Sequence, residues 1–322
     1  MNLGKRDFCI AAAAVALGTG ARAQAWPAKA VVIIVPQAPG GTNDAVGRIL
    51  AQKLTERMGQ SFVVDNRAGA GGNIGTQLAA SAPKDGYSLL LTISSTQAIN
   101  PSLYKSTGFD PVKDFAPIAA VGVVPNVLVV HPSFPAQNMQ QFLEVARKQS
   151  PPYLYGSAGN GSLNHLLGEM LNQKTGLHLG HVPYKGVAPA LTDVMGGQIP
   201  MAFASLPSCI QHVKSGRVRA LGISSARRSP FMPDIPAIAE TVPGYVGDLW
   251  VGLFAPAGTP PAIIDKLAAE IAALGNAPDV LEKYAAIGMQ KMDGGPDRLA
   301  AMVKSDIELW RPIVKASGAS VD

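Results

Sequence analysis

Residues 31–58, VVIIVPQAPGGTNDAVGRILAQKLTERM, place a strand, a glycine-rich turn and a helix in direct succession. Val31–Val35 is an unbroken β-branched run, which favours a buried strand. Residues 44–58 space their apolar side chains three and four apart, as an amphipathic helix does. Between them, residues 39–44 carry two glycines followed by Thr, Asn and Asp, which are typical of a turn that begins a helix. This order predicts one βα unit of an α/β fold.

The same alternation continues along the chain and predicts two α/β lobes. Further strands are predicted over 61–65, 88–92, 127–130, 153–156, 179–182, 201–204, 218–224 and 249–255, and a turn-rich connection over 108–117. Helices are predicted over 73–82, 139–149, 162–173, 189–195, 206–213, 260–274 and 296–315. The rhythm changes near Pro125 and Gly247, and the tail is too short to be an independent domain. We therefore expect a first lobe of residues 24–125 plus 248–322, interrupted by a second lobe of residues 126–247.

The first 23 residues have the order of an export signal. Lys5 and Arg6 supply a positive start, residues 8–17 an apolar stretch, and residues 21–23 (ARA) a small-x-small cleavage site. The apolar stretch is shorter than the ~20 residues that a membrane-spanning helix needs. One arginine is missing from a twin-arginine pattern, which favours the general secretory route. We predict a cleaved signal peptide over residues 1–23 and a periplasmic protein.

Charge and cysteine content exclude two further classes. Without residues 1–23 the chain loses Lys5, Arg6 and Arg22 against Asp7, so its formal charge falls from +5 to +3. That charge is too small and too dispersed for a nucleic-acid surface, which needs a stripe of Lys and Arg. Cys209 would then be the one remaining cysteine, which excludes a disulfide within the chain. We expect Cys209 to be a small buried apolar residue.

Three glycine-rich turns stand where a predicted strand gives way to a helix. They are APGGTND (38–44), AGAGGN (68–73) and SAGNGS (157–162). Helix N-termini expose unpaired N–H groups and a partial positive charge, and glycine lets the backbone approach a ligand closely. One such turn is an ordinary tight connection. Three of them at the carboxyl ends of strands predict a shared anion-binding cleft.

Motifs for nucleotide binding, metal binding and nucleophilic catalysis are incomplete. The dinucleotide pattern GxGxxG fails because Ile74 and Asn164 occupy the position of its third glycine. The serines of the third turn lack a GxSxG context, and no GxxxxGK[ST] loop is present. His178 and His181 are three apart, but no carboxylate or cysteine completes a zinc spacing. His165 is either a ligand contact or a packing residue, and binding without chemistry is the simpler interpretation.

The chain resembles the Bug-type periplasmic receptors of tripartite tricarboxylate transporters in eight blocks. These are PGGTND (39–44), DNRAGAGGNIG (65–75), PKDGYSLLL (83–91), FDPVKDFAPI (109–118), GSAGNGSLNHL (156–166), VPYKGVAPALTDVMGGQI (182–199), SGRVRALGIS (215–224) and WVGLFAPAGTP (250–260). They occur in the family's order and cover nearly the whole mature chain. The resemblance implies a two-lobed type II periplasmic-binding-protein fold, a Venus flytrap with two crossing segments. It further implies a receptor, not an enzyme, that delivers a small carboxylate to a membrane permease.

In this family the ligand's carboxylate is held largely by backbone N–H groups and waters of the glycine-rich turns. Carried over position by position, the predicted ligand-binding residues are Gln37, Gly40, Gly41, Thr42, Asp44, Ser94, Ser95, Ser157, Gly159, Asn160, His165, Tyr184, Lys185, Ala204 and Ser205. Many relatives have an aromatic residue where this chain has Gln37, which removes an apolar wall and adds a hydrogen-bonding group. Many also have an acidic residue and an Asn where this chain has Ala204 and Ser205. Without that acid to hold an amino group, we predict a carboxylate ligand that lacks a cationic group.

Two other functions fit the same scaffold. One is an exported sensor whose closed form docks on a signalling partner, and the sequence does not separate this from transport. The other is an exported enzyme that uses His165 or Lys185 in acid–base chemistry. We expect a monomer with no cofactor, no metal and no nucleic-acid partner.

Overall fold

The computed structural model describes residues 26–321, so the predicted signal peptide lies outside the described residues. Strands and helices alternate along this part of the chain in a mixed α/β fold. The strands are β1 (Val31–Val35), β2 (Phe62–Asn66), β3 (Ser88–Ile93), β4 (Phe115–Val124), β5 (Asn126–Val130), β6 (Leu154–Ser157), β7 (Gly180–Pro183), β8 (Met201–Ser205), β9 (Arg219–Ile223), β10 (Leu249–Pro256) and β11 (Gln290–Lys291). The α-helices are α1 (Thr42–Met58), α2 (Asn73–Ala80), α3 (Asn100–Leu103), α4 (Met139–Lys148), α5 (Leu163–Thr175), α6 (Val187–Met195), α7 (Leu206–Lys214), α8 (Pro261–Leu274), α9 (Pro278–Ala286) and α10 (Pro296–Ser317).

The first sheet has six strands in the order β11-β4-β10-β3-β1-β2. β1 pairs in parallel with β2 and β3, whereas β10 runs antiparallel to β3 and β4. Val46 and Leu50 of α1 and Leu267 of α8 pack on one face, and Leu90 and Trp250 belong to the core on the other. Because both faces are covered, the central strands are apolar without alternation.

The second sheet has five strands in the order β7-β6-β8-β5-β9. β6 runs parallel to β7 and β8, and β5 runs antiparallel to β8 and β9. Phe142 of α4 and Leu166 of α5 belong to the core on one face, and Leu191 of α6 and Cys209 of α7 to the core on the other. Cys209 is fully buried, as predicted, and its burial raises the pKa of the thiol to about 12.

The chain passes between the two sheets twice, between β4 and β5 and again just before β10, and Asp248 ties these passages together. Its Oδ1 accepts hydrogen bonds from Ser224 Oγ at 2.9 Å and Ser225 Oγ at 2.8 Å. Ser224 Oγ in turn accepts from the Asn126 N–H at 2.9 Å, and Ser94 Oγ donates to the backbone oxygen of Asp248 at 3.3 Å. Burial raises the pKa of Asp248 to about 6, although the two serine hydroxyls act to lower it.

The terminal helix α10 contacts the cores of both sheets. It has 22 residues and is therefore about 33 Å long. Leu299 and Val303 pack with the first sheet, and Trp310 and Ile313 join α5 in the core of the second. Between residues 26 and 321, no helix combines the length and the apolar character needed to cross a bilayer.

Most predicted elements lie within a few residues of the observed ones, but the sequence did not predict β4, the segment Ser95–Ile99, α3, α9 or β11. β4 begins inside the connection predicted over 108–117 and continues to Val124, where no strand was predicted; its antiparallel pairing with β10 includes Ala116 and Pro117. α9 was not predicted; it is nine residues long and buries Val280 and Tyr284. A π-turn, Ser95–Ile99, follows β3 where the sequence indicates only a polar run.

Candidate functional site

The turn after β1 is closed by a hydrogen bond from Gly40 to Asp44, and the N–H groups at the start of α1 have no acceptor among the described residues. Gly40 has a left-handed φ of +86° and donates its N–H to Asp44 Oδ2 at 2.9 Å. Burial by itself would raise the pKa of Asp44, but this bond and one from Arg48 Nε at 3.1 Å hold that pKa below its ordinary value. The N–H groups of Gly41 and Thr42 begin α1 and, like those of Asn43 and Asp44 that follow, have no hydrogen-bond acceptor within residues 26–321.

Gln37 connects this turn to the end of β3. Its Nε2 donates to Thr96 Oγ1 at 3.3 Å, and its Oε1 accepts from Asn43 Nδ2. Its backbone oxygen accepts from Asn66 Nδ2 at 3.1 Å, and Asn43 Nδ2 also reaches the Leu91 oxygen at 2.9 Å. Both ends of the Gln37 amide are engaged inside the protein, so this side chain braces the wall of the site.

The second glycine-rich turn lies against the segment that follows β3. The Gly71 oxygen accepts hydrogen bonds from Thr96 Oγ1 at 3.2 Å and Asn100 Nδ2 at 3.0 Å. A Cβ on Gly71 would lie 2.7 Å from the Tyr104 hydroxyl, and one on Gly72 would lie 2.8 Å from Thr96 Oγ1. Both positions also have positive φ, so only glycine fits this close approach.

Ser94 and Ser95 stand where β3 enters the π-turn. Ser94 is buried, and its hydroxyl is bonded to the backbone of Asp248. Ser95 is half-buried and is the first residue of the π-turn. Ser94 therefore braces the passage between the sheets, and Ser95 is the more accessible of the two.

In the turn after β6, two side chains accept hydrogen bonds from backbone N–H groups. The Gly159 N–H donates to Ser157 Oγ at 3.0 Å, and the Gly161 N–H donates to His165 Nδ1 at 3.1 Å. Both glycines have positive φ. Ser157 and His165, which are both buried, therefore hold the conformation of this turn through hydrogen bonds from its own N–H groups.

Two N–H groups of this turn remain unused. Those of Ala158 and Asn160 have no acceptor in the described part of the chain. They form a second pair of free donors, next to the N-terminus of α5, as Gly41 and Thr42 form the first pair at α1. Each pair adds to the partial positive charge of a helix N-terminus, which favours an anion.

Two histidine rings lie stacked beside this turn. The ring centroids of His165 and His181 are 3.8 Å apart, with 15° between their planes. His181 Nε2 is 2.5 Å from Ser157 Oγ, and His165 Nε2 is 4.0 Å from Glu169 Oε1. Burial lowers the pKa of both rings, and that of His181 reaches about 4 with a further contribution from His165. Both rings are neutral at pH 7.

Tyr184 and Lys185 follow β7. The Tyr184 N–H donates to the Ser157 oxygen at 3.2 Å, and its hydroxyl donates to Asp193 Oδ2 at 2.6 Å. Burial, together with this bond to Asp193, raises the pKa of Tyr184 to about 12. Lys185 is exposed. Tyr184 thus packs beside the third turn, and the Lys185 side chain extends into solvent.

Ala204 and Ser205 end β8 at the passage between the sheets. Ala204 is buried and pairs with Val127, and Ser205 pairs with Asn126. Ser205 Oγ is 2.7 Å from Ser208 Oγ within the first turn of α7. Neither position supplies a charge.

Helix α3 joins turns that belong to different sheets. Leu103 at its end packs so closely on the third turn that a Cβ on Gly161 would lie 2.5 Å from Leu103 Cδ2. The same segment holds the second turn through Thr96 and Asn100, which bond the Gly71 oxygen. Glycine-rich turns of both sheets therefore meet along residues 95–104.

Most of the predicted residues lie in two groups, one around the turn after β1 and the end of β3, the other around the turn after β6 and the end of β7. Other residues at these turns were not predicted as part of the site. His181, Thr96, Asn100 and Ala158 were not predicted to belong to the site. His181 lies beside Ser157 because β7 pairs with β6, and that pairing has no signal in the sequence. No group of three His, Cys, Asp or Glu residues within 26–321 is arranged to hold a metal ion.

A separate cavity of about 680 Å³ lies between the connection at 104–112 and α10. Its lining includes Lys304 and Arg311 together with Asp110 and Glu308. Arg311 and Glu308 pair at 2.9 Å. Lys105 also lines this cavity, so its walls carry three basic and two acidic side chains.

Comparisons with known proteins agree on one family. Residues 46–319 match the family described as "Tripartite tricarboxylate transporter family receptor". The protein BugT of Bordetella pertussis is 36% identical over 301 residues, covering 93% of this chain and 92% of BugT. The structure of "R. palustris Rpa4515 with adipate" is 35% identical with a TM-score of 0.77, covering 92% of this chain and 99% of that one. The structure of MatC from Rhodopseudomonas palustris "with bound malate" is 29% identical with a TM-score of 0.73, covering 90% and 100%.

Proposed function

We propose that this chain, which belongs to the tripartite tricarboxylate transporter receptor family, binds a small carboxylate between its two sheets. Proteins of this family are periplasmic-type solute-binding receptors and not enzymes. The observation that carries the proposal is the pair of free N–H groups at each of two helix N-termini. Gly41 and Thr42 supply one pair, and Ala158 and Asn160 supply the other. A dicarboxylate has one anionic group for each pair.

Two related structures support this ligand class. One holds adipate and the other malate, and both ligands are dicarboxylates without an amino group. In this chain, the nearby cation Arg48 is engaged with Asp44, which supports recognition by backbone N–H groups over a guanidinium clamp. Helix N-termini and backbone donors bind anions without a formal positive charge.

The ligand is proposed to lack a cationic group. At the end of β8, Ala204 and Ser205 are both uncharged, so neither can hold an ammonium group by charge. The buried acid closest to the crossing, Asp248, is already bonded by Ser224 and Ser225. An amino acid would bring a charged amine into this region without a carboxylate to pair it, which costs several kcal/mol when buried.

We further propose that residues 24–125 and 248–322 form one lobe and residues 126–247 the other, closing on the ligand from both sides. Closure is favoured only by the ligand's higher affinity for the closed form. The closed pair would present a composite surface to a membrane permease, after export of the chain by its N-terminal signal. An exported sensor would use the same closure toward a signalling partner.

Isothermal titration of the purified protein with succinate, malate, adipate, citrate and benzoate, against aspartate and glutamate, tests the ligand class. We expect heat of binding from at least one of the first five, and at least ~10-fold weaker binding of both amino acids. Tight binding of aspartate or glutamate, with no response to the other acids, contradicts the proposal. Mass spectrometry of small molecules released on denaturation identifies a co-purified ligand, and its recovery unaltered after long incubation separates a receptor from an enzyme.

A further inference from the structure

We propose that Ser157, His165 and His181 form a positioning unit that selects which backbone N–H groups of the third turn face the ligand. This inference rests on the proposed function, since it concerns how the same site presents its donors. None of the three side chains is proposed to touch the ligand. Their role is to engage alternate N–H groups and leave the others free.

The His165 ring engages the backbone N–H of Gly161. Its Nδ1 accepts the Gly161 N–H at 3.1 Å, so Nδ1 carries no proton and the neutral ring is protonated at Nε2. That Nε2 faces Glu169 Oε1 at 4.0 Å, and Glu169 also accepts from the Tyr155 hydroxyl at 2.8 Å. The Tyr155 hydroxyl reaches the backbone oxygen of His165 at 2.9 Å as well. The bond from Gly161 therefore sets the tautomer of the ring, and the Glu169 carboxylate lies on its protonated Nε2 side.

The Ser157 hydroxyl engages the backbone N–H of Gly159. Its Oγ accepts the Gly159 N–H at 3.0 Å and is bonded to His181 Nε2 at 2.5 Å. His181 is held in turn by β7, where it lies opposite Tyr155 of β6. The hydroxyl also lies 3.2 Å from the Gly159 oxygen, so Ser157 is held between its own turn and a ring on the neighbouring strand.

The stacking of the His165 ring on the His181 ring couples the contact of His165 with Gly161 to the contact of Ser157 with Gly159. At a centroid distance of 3.8 Å, neither ring can move without disturbing the other. Two imidazolium rings at this distance would repel, and the lowered pKa of both rings agrees with a neutral pair. With Gly159 and Gly161 engaged, Ala158 and Asn160 are, among the described residues, the free donors within the turn, next to the free N–H groups of Leu163 and Asn164 at the start of α5.

The test uses the different shapes of Asn and Gln. An Asn amide places its polar atoms near the Nδ1 position of a histidine, and a Gln amide places them near the Nε2 position. Since His165 acts through Nδ1 and His181 through Nε2, the two sites should prefer opposite replacements. His165→Asn should keep ligand affinity within about 3-fold of wild type, whereas His165→Gln and His165→Ala should lose about 10-fold or more. For His181 the order reverses, and Gln should be tolerated better than Asn or Ala.

The probe is whichever of succinate, malate, adipate, citrate or benzoate wild type binds, titrated at pH 7.5 with the thermal midpoint of each variant recorded. His178→Ala, on an exposed residue three positions before His181, is the matched control and should bind as wild type does. Equal affinities for the Asn and Gln variants at both sites would mean that the rings act only by filling space, which overturns the positioning unit.

A second measurement needs no ligand and no variant. In ¹⁵N-labelled wild type, the imidazole nitrogens of His165 should show an unprotonated Nδ1 and a protonated Nε2 at pH 7.5. A ring protonated at Nδ1 would contradict the inference. If wild type binds none of the acids, the proposed function fails while this tautomer still reports on the positioning unit.

Discussion

At the scale of single residues, two partly buried titratable groups respond to pH in opposite directions. The folded protein holds the pKa of Asp248 at about 6, above its ordinary 3.8, because burial disfavours the carboxylate. It holds the pKa of His181 at about 4, below its ordinary 6.5, because burial and His165 disfavour the cation. Between pH 4 and 6, Asp248 is more protonated in the folded state than in the unfolded state. His181 is more protonated in the unfolded state than in the folded state. Asp248 therefore contributes less stability as pH rises through this window, and His181 contributes more.

Asp248→Asn should stabilise the protein at neutral pH. The amide oxygen can still accept from Ser224 and Ser225, and the buried charge is removed. The gain in free energy of unfolding should be near zero at pH 4 and on the order of 1–3 kcal/mol at pH 7. Urea denaturation at pH 4, 5, 6 and 7 measures it.

His181→Gln is the opposing control for this series. It removes the histidine contribution, so its stability should rise less between pH 4 and 6.5 than that of wild type. If Asp248→Asn shows the same offset at every pH, the carboxyl does not titrate as burial implies.

At the scale of elements, helix α1 shows how the sequence puts an N-terminus at the site. Val46, Leu50 and Leu54 face the sheet, and Gly47 lets the helix approach closely, since a Cβ there would lie 3.1 Å from Val35 Cγ2. The helix begins at Gly41, whose backbone is extended at φ −82°. A side chain at Gly41 would meet only the Ala38 oxygen, at 3.7 Å.

Gly41→Val should weaken ligand binding by about 10-fold or more while the fold is kept, because the branched side chain blocks approach to the first pair of donors. Gly295→Val is the matched control. Gly295 also precedes a helix with extended backbone at φ −77°, and a Cβ there has nothing within 4 Å. Calorimetric titration and thermal melts of both variants make the comparison, and equal affinities would remove Gly41 from the binding site.

At the scale of the whole molecule, the two sheets are joined by more than the two passages of the chain. Trp310 and Ile313 of α10 lie in the core of the second sheet, although that helix starts on the first. Leu103, which follows β3 of the first sheet, lies against Gly161 of the second. A change at this contact should therefore act on closure and not on either sheet alone.

Gly161→Ala should disfavour the closed form, because its Cβ would lie 2.5 Å from Leu103 Cδ2. We expect about 10-fold or more loss of affinity and a larger radius of gyration with ligand present. Gly176→Ala controls for backbone strain, since Gly176 has φ +69° against +72° at Gly161 and has open space around it. Leu103→Ala combined with Gly161→Ala should recover part of the affinity. Identical small-angle scattering of Gly161→Ala and Gly176→Ala with ligand would contradict a closure role.

Much of the fold could be predicted from local pattern. Parallel strands buried on both faces appear as apolar runs such as Val31–Val35, and helices such as Met139–Lys148 appear through their spacing. The positions of the glycine-rich turns could also be predicted, because positive φ and helix starts depend on near neighbours. β4 was harder, since its pairing with β10 comes from more than 120 residues away.

The sequence by itself determined the βα succession, the positions of the glycine-rich turns and the family, because each depends on residues that are close along the chain. Tertiary structure alone decided which N–H groups those turns leave free, since Ser157 is oriented by a histidine on another strand and Gln37 by a threonine 59 positions away. The contact of Leu103 with Gly161 was also decided there. Hydrogen bonds and close contacts between distant segments depend on strand order and register, and a single sequence carries no local signal for either.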